Sequence, residues 1–527
     1  MEATDFMLNE TKQVIKHPRL RLSKLFFYVL VFIIPLGTGK VFFGETSFYE
    51  GIFIFYNSGA LYLTDILICG LVVAWIIEKW WSFTSFHKLL TTISHNSVYQ
   101  ILSVFWLISA ISLLVSHETL LGFYGLVKLS EFFLFFAYIR ENITLFHVKS
   151  SVPSQNPFGD KLETEEAGKV SHETFTIFGL FSLAVIFQAV LGLVQYFTQK
   201  SQGLSFLGES LLIPGMKGIA VFISQGLVAP LLYNFLPYLS PISDVTYNIR
   251  AYGTLPHANI FGGLMFLGLM FSLFLAYKVS HETSKFLLIM LGISLFLEIT
   301  GVVISFSRTV WLVSVVGVGI WFFLLFAGIR RPQFLEMKTG KHDMDKTGYF
   351  PGRIAFILAI MLFAAGANLF AFGPQIKDRL IEKDARSFST QQSYAERLRF
   401  NSMALDMISR HPILGVGPKN FAVRMQEFSK EKLRPELLQP VHNMYLLIAS
   451  ESGILALAIF LLLLLNIVRR AVSAAAETAR RRGILNFTLL VVLGGFLFIG
   501  LFDHYFWTIQ QGSLVFWMVL GLLSTRQ

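Results

Sequence analysis

Four short stretches of this chain combine residues that handle protons and anions with turns able to hold them. IRAYGTLPHANIFGGLM, at 249–265, sets Arg250 and His257 in a Gly- and Pro-punctuated turn ahead of an apolar run. SFSRTVWL, at 305–312, puts Arg308 between two apolar runs that nearly abut. AERLRFNSMALDMISRHPILGVGPKNF, at 395–421, carries Arg397 and Arg399 on an amphipathic helical pattern, followed by a turn at Gly415 and Gly417. QPVHNMYLLIASESGILALAIF, at 439–460, places His442 and Asn443 in the first turn of a helix that Pro440 opens.

The residue types suggest two kinds of chemistry. A guanidinium fork matches phosphate oxygens bidentately, and a short loop would hold Arg308 at headgroup depth. A helix N-terminus disfavours imidazolium, so His442 stays neutral, as a general base near neutral pH must. Taken singly, each residue also has a structural reading. Arg250 and Arg308 could anchor helix ends at the interface, Arg308 by snorkelling. His442 could simply start a helix, and 395–421 could be a surface helix. Glu451 is nine residues beyond His442, so on a continuous helix it points to the opposite face and lies about 13 Å deeper. It reads as a helix-packing partner. No DxD or HExxH stretch occurs in the two long polar stretches at 198–257 and 374–441, so neither a metal nor a cofactor is expected.

These residues must be positioned by membrane-spanning helices. The chain is 54% hydrophobic, 15% aromatic and 14% charged, with mean hydropathy +0.61. A soluble domain carries about 25% charged residues. Runs of about 20 apolar residues span hydrocarbon. They occur near 25–43, 61–79, 99–116, 119–138, 175–197, 258–277, 285–305, 309–328, 354–373, 442–468, 484–502 and 507–524. The expected fold is therefore an all-α integral membrane protein of about twelve transmembrane helices. Basic clusters at Lys12–Lys24, Arg330–Arg353 and Arg469–Arg482 fall on one side of an even number of spans. By the positive-inside rule that side is cytoplasmic, and both termini share it.

The division of the chain follows. Residues 1–24 form a cytoplasmic segment, 25–197 the N-terminal transmembrane helices and 198–257 an outer loop. Residues 258–373 form central helices, 374–441 a large outer loop and 442–527 the C-terminal helices. Residues 227–239, interrupted by Pro230 and Pro237, read as a helix lying at the interface. The 374–441 loop is itself basic, but loops beyond about 60 residues translocate largely regardless of charge. Its cations either pair with neighbouring acids or attract an anion outside the membrane. The net charge of +10 sits largely in loops and does not point to nucleic acid. Cys69, the single cysteine, excludes an intrachain disulfide and a CxxC metal site. The first apolar run is long enough to span, so no cleavable signal peptide is expected.

The four stretches, in this order, resemble the O-antigen ligase family, which includes O-antigen polymerases and bacterial protein O-oligosaccharyltransferases. The resemblance covers roughly 175–525. His442, Asn443 and Gly453 fit the family's ligase motif; Ala456 departs from its last position. The resemblance implies a GT-C-like, metal-independent membrane glycosyltransferase in the cytoplasmic (inner) membrane, acting at the outer face. Its donor would be an undecaprenyl diphosphate-linked glycan, and its acceptor a hydroxyl on a glycan, lipid or protein. By matched motif, His442 would be the base and Arg250 and Arg308 diphosphate ligands. Arg397, Arg399, His257 and Asn443 are further substrate-binding candidates. A polymerase of the same superfamily is the nearest alternative, and a transporter of lipid-linked oligosaccharides the more distant one.

Overall fold

An α-helix satisfies its own backbone hydrogen bonds, which is the condition for crossing hydrocarbon. The computed structural model describes residues 21–42, 44–80, 91, 95–145, 171–214, 219, 221–222, 248–278, 285–330, 351–381, 388–477 and 483–525. The interfacial helix expected at 227–239 and most of the expected cytoplasmic basic clusters lie outside these residues.

Among the described residues twelve apolar helices build the bundle. They are α1 (Leu22–Ile33), α2 (Leu63–Trp80), α3 (Ser97–Ile111), α4 (Thr119–Asn142), α5 (His172–Thr198), α6 (Ala258–Lys278), α7 (Lys285–Ile304), α8 (Arg308–Arg330), α9 (Pro351–Ile381), α12 (Met444–Glu477), α13 (Gly483–Ile499) and α15 (Gln510–Leu523). Three further helices, α10 (Phe388–Arg410), α11 (Phe421–Arg424) and α14 (Tyr505–Thr508), lie in the connections. Eight of the bundle helices are long and apolar enough to cross a membrane, whereas α1, α13 and α15 are shorter. Helix α2 carries Asp65, Glu78 and Lys79 within its 18 residues. The protein is an all-α integral membrane protein, and its helices bring the four polar stretches to one loop-rich end.

Helix α6 is the axis of the bundle, with 94% of its apolar window buried. It packs against α5, α7, α8, α9 and α13. Small residues allow that approach: a Cβ on Gly262 would meet Ser305, and one on Gly263 would meet the Tyr505 hydroxyl. The buried Glu298 of α7 accepts hydrogen bonds from Ser272 at 2.9 Å and Ser294 at 3.0 Å.

The first apolar run does not stay helical to residue 43. After Ile33 come Pro35 and Gly37, and the chain turns into strand β1 (Gly39–Phe42), antiparallel to β4 (Gly59–Tyr62). Between them, β2 (Phe48–Tyr49) pairs with β3 (Ile52–Phe53). A third short pair joins β5 (Val221–Phe222) to β6 (Asn248–Ile249).

The loop-rich end has a core of its own. Phe400, Met403, Ala404 and Met407 recur at helical spacing on α10 and are buried with Phe421, Met425, Leu437 and Leu447. This subdomain grips a break in α12 at Gly453, where φ is 88° and ψ 166°. A glycine turn from the preceding connection takes up the freed backbone groups. Val416 N–H donates to Ser450 O at 2.8 Å, Gly417 N–H to Glu451 O at 2.9 Å, and Ile454 N–H to Pro412 O at 2.9 Å. The approach is so close that a Cβ on Gly453 would overlap the carbonyl oxygen of Ile413. The expected turn at Gly415 and Gly417 therefore exists to dock the subdomain on α12.

Candidate active site

The strand-like stretch carrying Arg250 is held by two buried glutamines of α5. Gln195 Oε1 accepts from the backbone N–H of Tyr252 at 3.2 Å and of Gly253 at 2.8 Å. Gln188 Oε1 accepts from Thr254 N–H at 2.8 Å, and its amide donates to Pro35 O at 3.2 Å. Buried amides of this kind fix a loop because an unpaired polar group there is costly. Arg250 is itself 5% exposed. Its Nε donates to Ser305 O at 2.6 Å and its terminal nitrogen to Asn259 Oδ1 at 2.6 Å. Burial, reinforced by Arg379 and Arg397, lowers its pKa to about 9, so it is cationic at neutral pH.

Asn259 continues the chain of contacts. Its Nδ2 donates to Asp503 Oδ2 at 2.8 Å, linking the start of α6 to the connection between α13 and α14. Its backbone N–H donates to His257 Nδ1 at 3.1 Å. With Nδ1 accepting, a neutral His257 carries its proton on Nε2, where it can donate to a ligand oxygen but cannot take a proton. Burial, followed by the Arg250 charge, lowers the pKa of His257 to about 4.

His442 lies where the start of α12 meets the 500–504 turn. Met444 N–H donates to Gly500 O at 2.8 Å, and Asn443 Nδ2 donates to Leu501 O at 3.2 Å. The imidazole of His442 stacks on Phe400 at 6.2 Å and meets His504 edge to face. Its Nδ1 is enclosed with no hydrogen-bond partner. Burial, and then the neighbouring His504, lower its pKa to about 3, against the pull of Asp503. The ring is therefore neutral at neutral pH. His504 Nδ1 lies 2.6 Å from Thr508 Oγ1, and burial lowers its pKa too. Asp503 is buried as well. Burial works against its charge, but the three imidazoles and Asn259 outweigh it and hold the pKa below the usual carboxylate value.

The arginines divide. Arg397 is half-buried, and its charge bears on Arg250, His257, His442 and His504. Arg399, two residues on and about 200° around the helix, faces away. It donates to Ser429 Oγ at 2.8 Å and pairs with Glu431 at 3.4 Å, so it holds the 429–431 turn. Asn443 likewise has a structural task. Its Oδ1 accepts from Tyr445 and Leu446 N–H at 3.0 Å each, capping α12. Arg308 is exposed at the start of α8 and donates to Arg379 O at 2.9 Å, while Arg379 Nε donates to Phe306 O at 3.2 Å. Arg379 thus joins Arg308 to the group around Arg250.

Asn259, Arg379, Asp503 and His504 were not singled out from sequence. The signal for two of them was present: FDHYFW at 502–507 is a polar pair between two apolar runs. Among the described residues no group of three or more His, Cys, Asp or Glu side chains is arranged to hold a metal ion.

Residues 293–461 match the O-antigen ligase family model. That stretch, about a third of the chain, is similar to the O-antigen ligase family. Arg308, Arg379, Arg397 and His442 lie within the matched residues, while Arg250, Asn259, Asp503 and His504 join them from outside. A comparison with curated proteins gives no match.

Proposed function

We propose that this O-antigen ligase-type membrane protein transfers a glycan from an undecaprenyl diphosphate carrier to an acceptor hydroxyl at the outer face of the cytoplasmic membrane. The observation that carries the reading is the meeting of a cationic group with a neutral imidazole. Arg397 bears on both Arg250 and His442, so the cations and the imidazole share one site. Arg308 and Arg379 extend the cationic surface to the edge of α8, where a lipid-anchored diphosphate would arrive.

In this mechanism the arginines bind the diphosphate and stabilise the charge that builds on it as it leaves. The acceptor oxygen forms a bond to the anomeric carbon while the carbon–oxygen bond to the diphosphate breaks, and the diphosphate departs with the electron pair. The acceptor proton passes to His442. Asp503 favours the imidazolium that results, and Asn259 holds Asp503 and Arg250 in register. His257 serves as a donor to a ligand oxygen. Arg399 and Asn443 support the site from behind.

Reconstitution in lipid vesicles with an undecaprenyl diphosphate oligosaccharide tests the reading, by following which molecule acquires the sugar. Label on a new acceptor supports ligase-type transfer, and polymer still on the carrier supports the polymerase alternative. Intact donor in the presence of all acceptors overturns both. The same assay in excess EDTA tests the proposed metal independence, and loss of transfer restored by Mg²⁺ would refute it.

A further inference from the structure

A polar cavity lies at the other end of the bundle from His442 and His504. It sits among four helices: the start of α3, the last turn of α4, the C-terminal half of α12 and the end of α15. Its volume is about 310 Å³, inside the range of about 300–1,000 Å³ usual for small-ligand pockets. Arg140, Arg470 and Ser524 line its polar side, and Ile467, Ala474 and Leu523 its apolar side. Among the described residues no acidic side chain lines it.

The two arginines reach the cavity differently. Arg140, in the last turn of α4, is only 4% exposed. An arginine that merely anchored a helix end would carry its charge out to water. This one stays inside the bundle, with its guanidinium 4.9 Å from the Tyr99 ring and its Nε 3.6 Å from Glu141. Glu141 also accepts from the Tyr99 hydroxyl at 2.9 Å, which fixes the group. Arg470 is exposed and shares one face of α12 with Ile467 and Ala474. Among the described residues it gives one of its five N–H donors, to Ser97 Oγ at 2.9 Å. Ser524 Oγ is enclosed with no hydrogen-bond partner.

We propose that this cavity binds a phosphate group, presented from the end of the bundle expected to be cytoplasmic. Two guanidiniums in one wall leave surplus positive charge, even with Glu141 beside one of them. Their planar forks match phosphate oxygens, and the unpartnered Ser524 hydroxyl can donate to a further one. A carboxylate has two oxygens and satisfies one fork. The tetrahedral oxygens of a phosphate can meet both arginines and the hydroxyl together. The apolar side suits a phosphate that carries glycerol and acyl chains, so an anionic phospholipid headgroup is one source. A soluble phosphate is the other. Held there, the ligand would join α12 and α15, the helices that follow His442 and His504 in the chain.

Purified full-length protein in a neutral detergent can be titrated with dioleoyl phosphatidylglycerol, inorganic phosphate and dioleoyl glycerol, the last being the lipid without its phosphate. The thermal midpoint reads binding, because a ligand taken up by the folded state alone raises it. Phosphatidylglycerol or inorganic phosphate should raise it saturably, and dioleoyl glycerol should not. Arg470→Ala should raise the half-saturating concentration at least about tenfold, the least that loss of a hydrogen bond to a charged group carries. Arg470→Lys should restore part of this. Arg469→Ala, one residue away and outside the cavity wall, should leave binding unchanged. Should Arg470→Ala fail to fold, Ala474→Leu, which narrows the cavity, replaces it with the same expected loss. A response to phosphatidylglycerol alone identifies a lipid headgroup, and an equal or tighter response to inorganic phosphate identifies a soluble ligand. No saturable response to either, an equal response to dioleoyl glycerol, or an equal loss in Arg469→Ala would each overturn the proposal. So would a response that wholly survives Arg470→Ala, which would belong to the arginines of the loop-rich end.

Discussion

The imidazole rings of His442 and His504 meet edge to face, with centroids 5.2 Å apart and an interplanar angle of 71°. The contact joins the start of α12 to the turn between α13 and α14, and buried Asp503 is the neighbour whose charge favours a proton on either ring. A neutral imidazole with a carboxylate close by can accept a proton and be stabilised once it has done so.

Replacing His442 by Ala should remove transfer and spare donor binding, because the base acts on the acceptor hydroxyl. A loss of about 10²–10⁴-fold in single-turnover transfer is expected. Wild-type transfer by folded His442→Ala would exclude it as the base.

Buried His504 and half-buried His257 and His442 make the fold sensitive to acid. His442 falls to about 3, His257 to about 4, and His504 is lowered as well, all from 6.5. Between about 4 and 6.5 the unfolded chain binds protons that the folded one does not, so stability rises with pH across that window and is lost as pH falls through it. Thermal midpoints of the detergent-purified protein should drop from pH 7 to pH 4.5. His442→Gln with His257→Gln should flatten the profile, and an unchanged slope in that double variant would contradict the assignment.

Arg308→Ala should weaken donor binding as well as turnover, since a charge-assisted bidentate contact contributes about 1.5–3 kcal/mol. Arg308→Lys should restore only part of this, because an ammonium keeps the charge and loses the fork. Donor titration of the two variants decides the point, and unchanged affinity in Arg308→Ala would leave the residue as a helix-end anchor.

Asp503→Asn keeps the size of the side chain and removes its charge. Turnover should fall by at least about tenfold, the factor carried by 1.4 kcal/mol of lost imidazolium stabilisation, with donor affinity nearly unchanged. A variant that loses donor binding and keeps its turnover number would show that Asp503 serves Arg250 through Asn259 rather than the imidazoles.

Gly453→Ala should be poorly tolerated, because a Cβ there meets the Ile413 backbone and φ is positive. A cost of at least about 2 kcal/mol is expected. Gly494→Ala in α13, where a Cβ meets nothing within 4 Å, provides the contrast. Equal thermal midpoints for the two variants would contradict the docking described for α12.

Much of this protein was legible in the chain itself. Lipid tolerates only segments that satisfy their own backbone, so apolar runs of helical length had to be helices, and their alternation carried Arg250, Arg308 and His442 to one end. Phe400, Met403 and Met407 announced the buried face of α10 by their spacing. Which polar residues would meet was a matter of tertiary packing. Asn259 and Asp503 are 244 positions apart and bond only because α6 lies beside the α13–α14 turn. Arg397 and Arg399 look equivalent in sequence. Only the seating of α10 on its own core turns one toward the imidazoles and the other toward Ser429. Asn443 beside His442 looked like a ligand, but the unpaired N–H groups at the start of α12 claim its side-chain oxygen. Periodicity is a local property of the backbone. Side-chain partnership is decided by which helix faces are buried together, and that depends on the whole bundle.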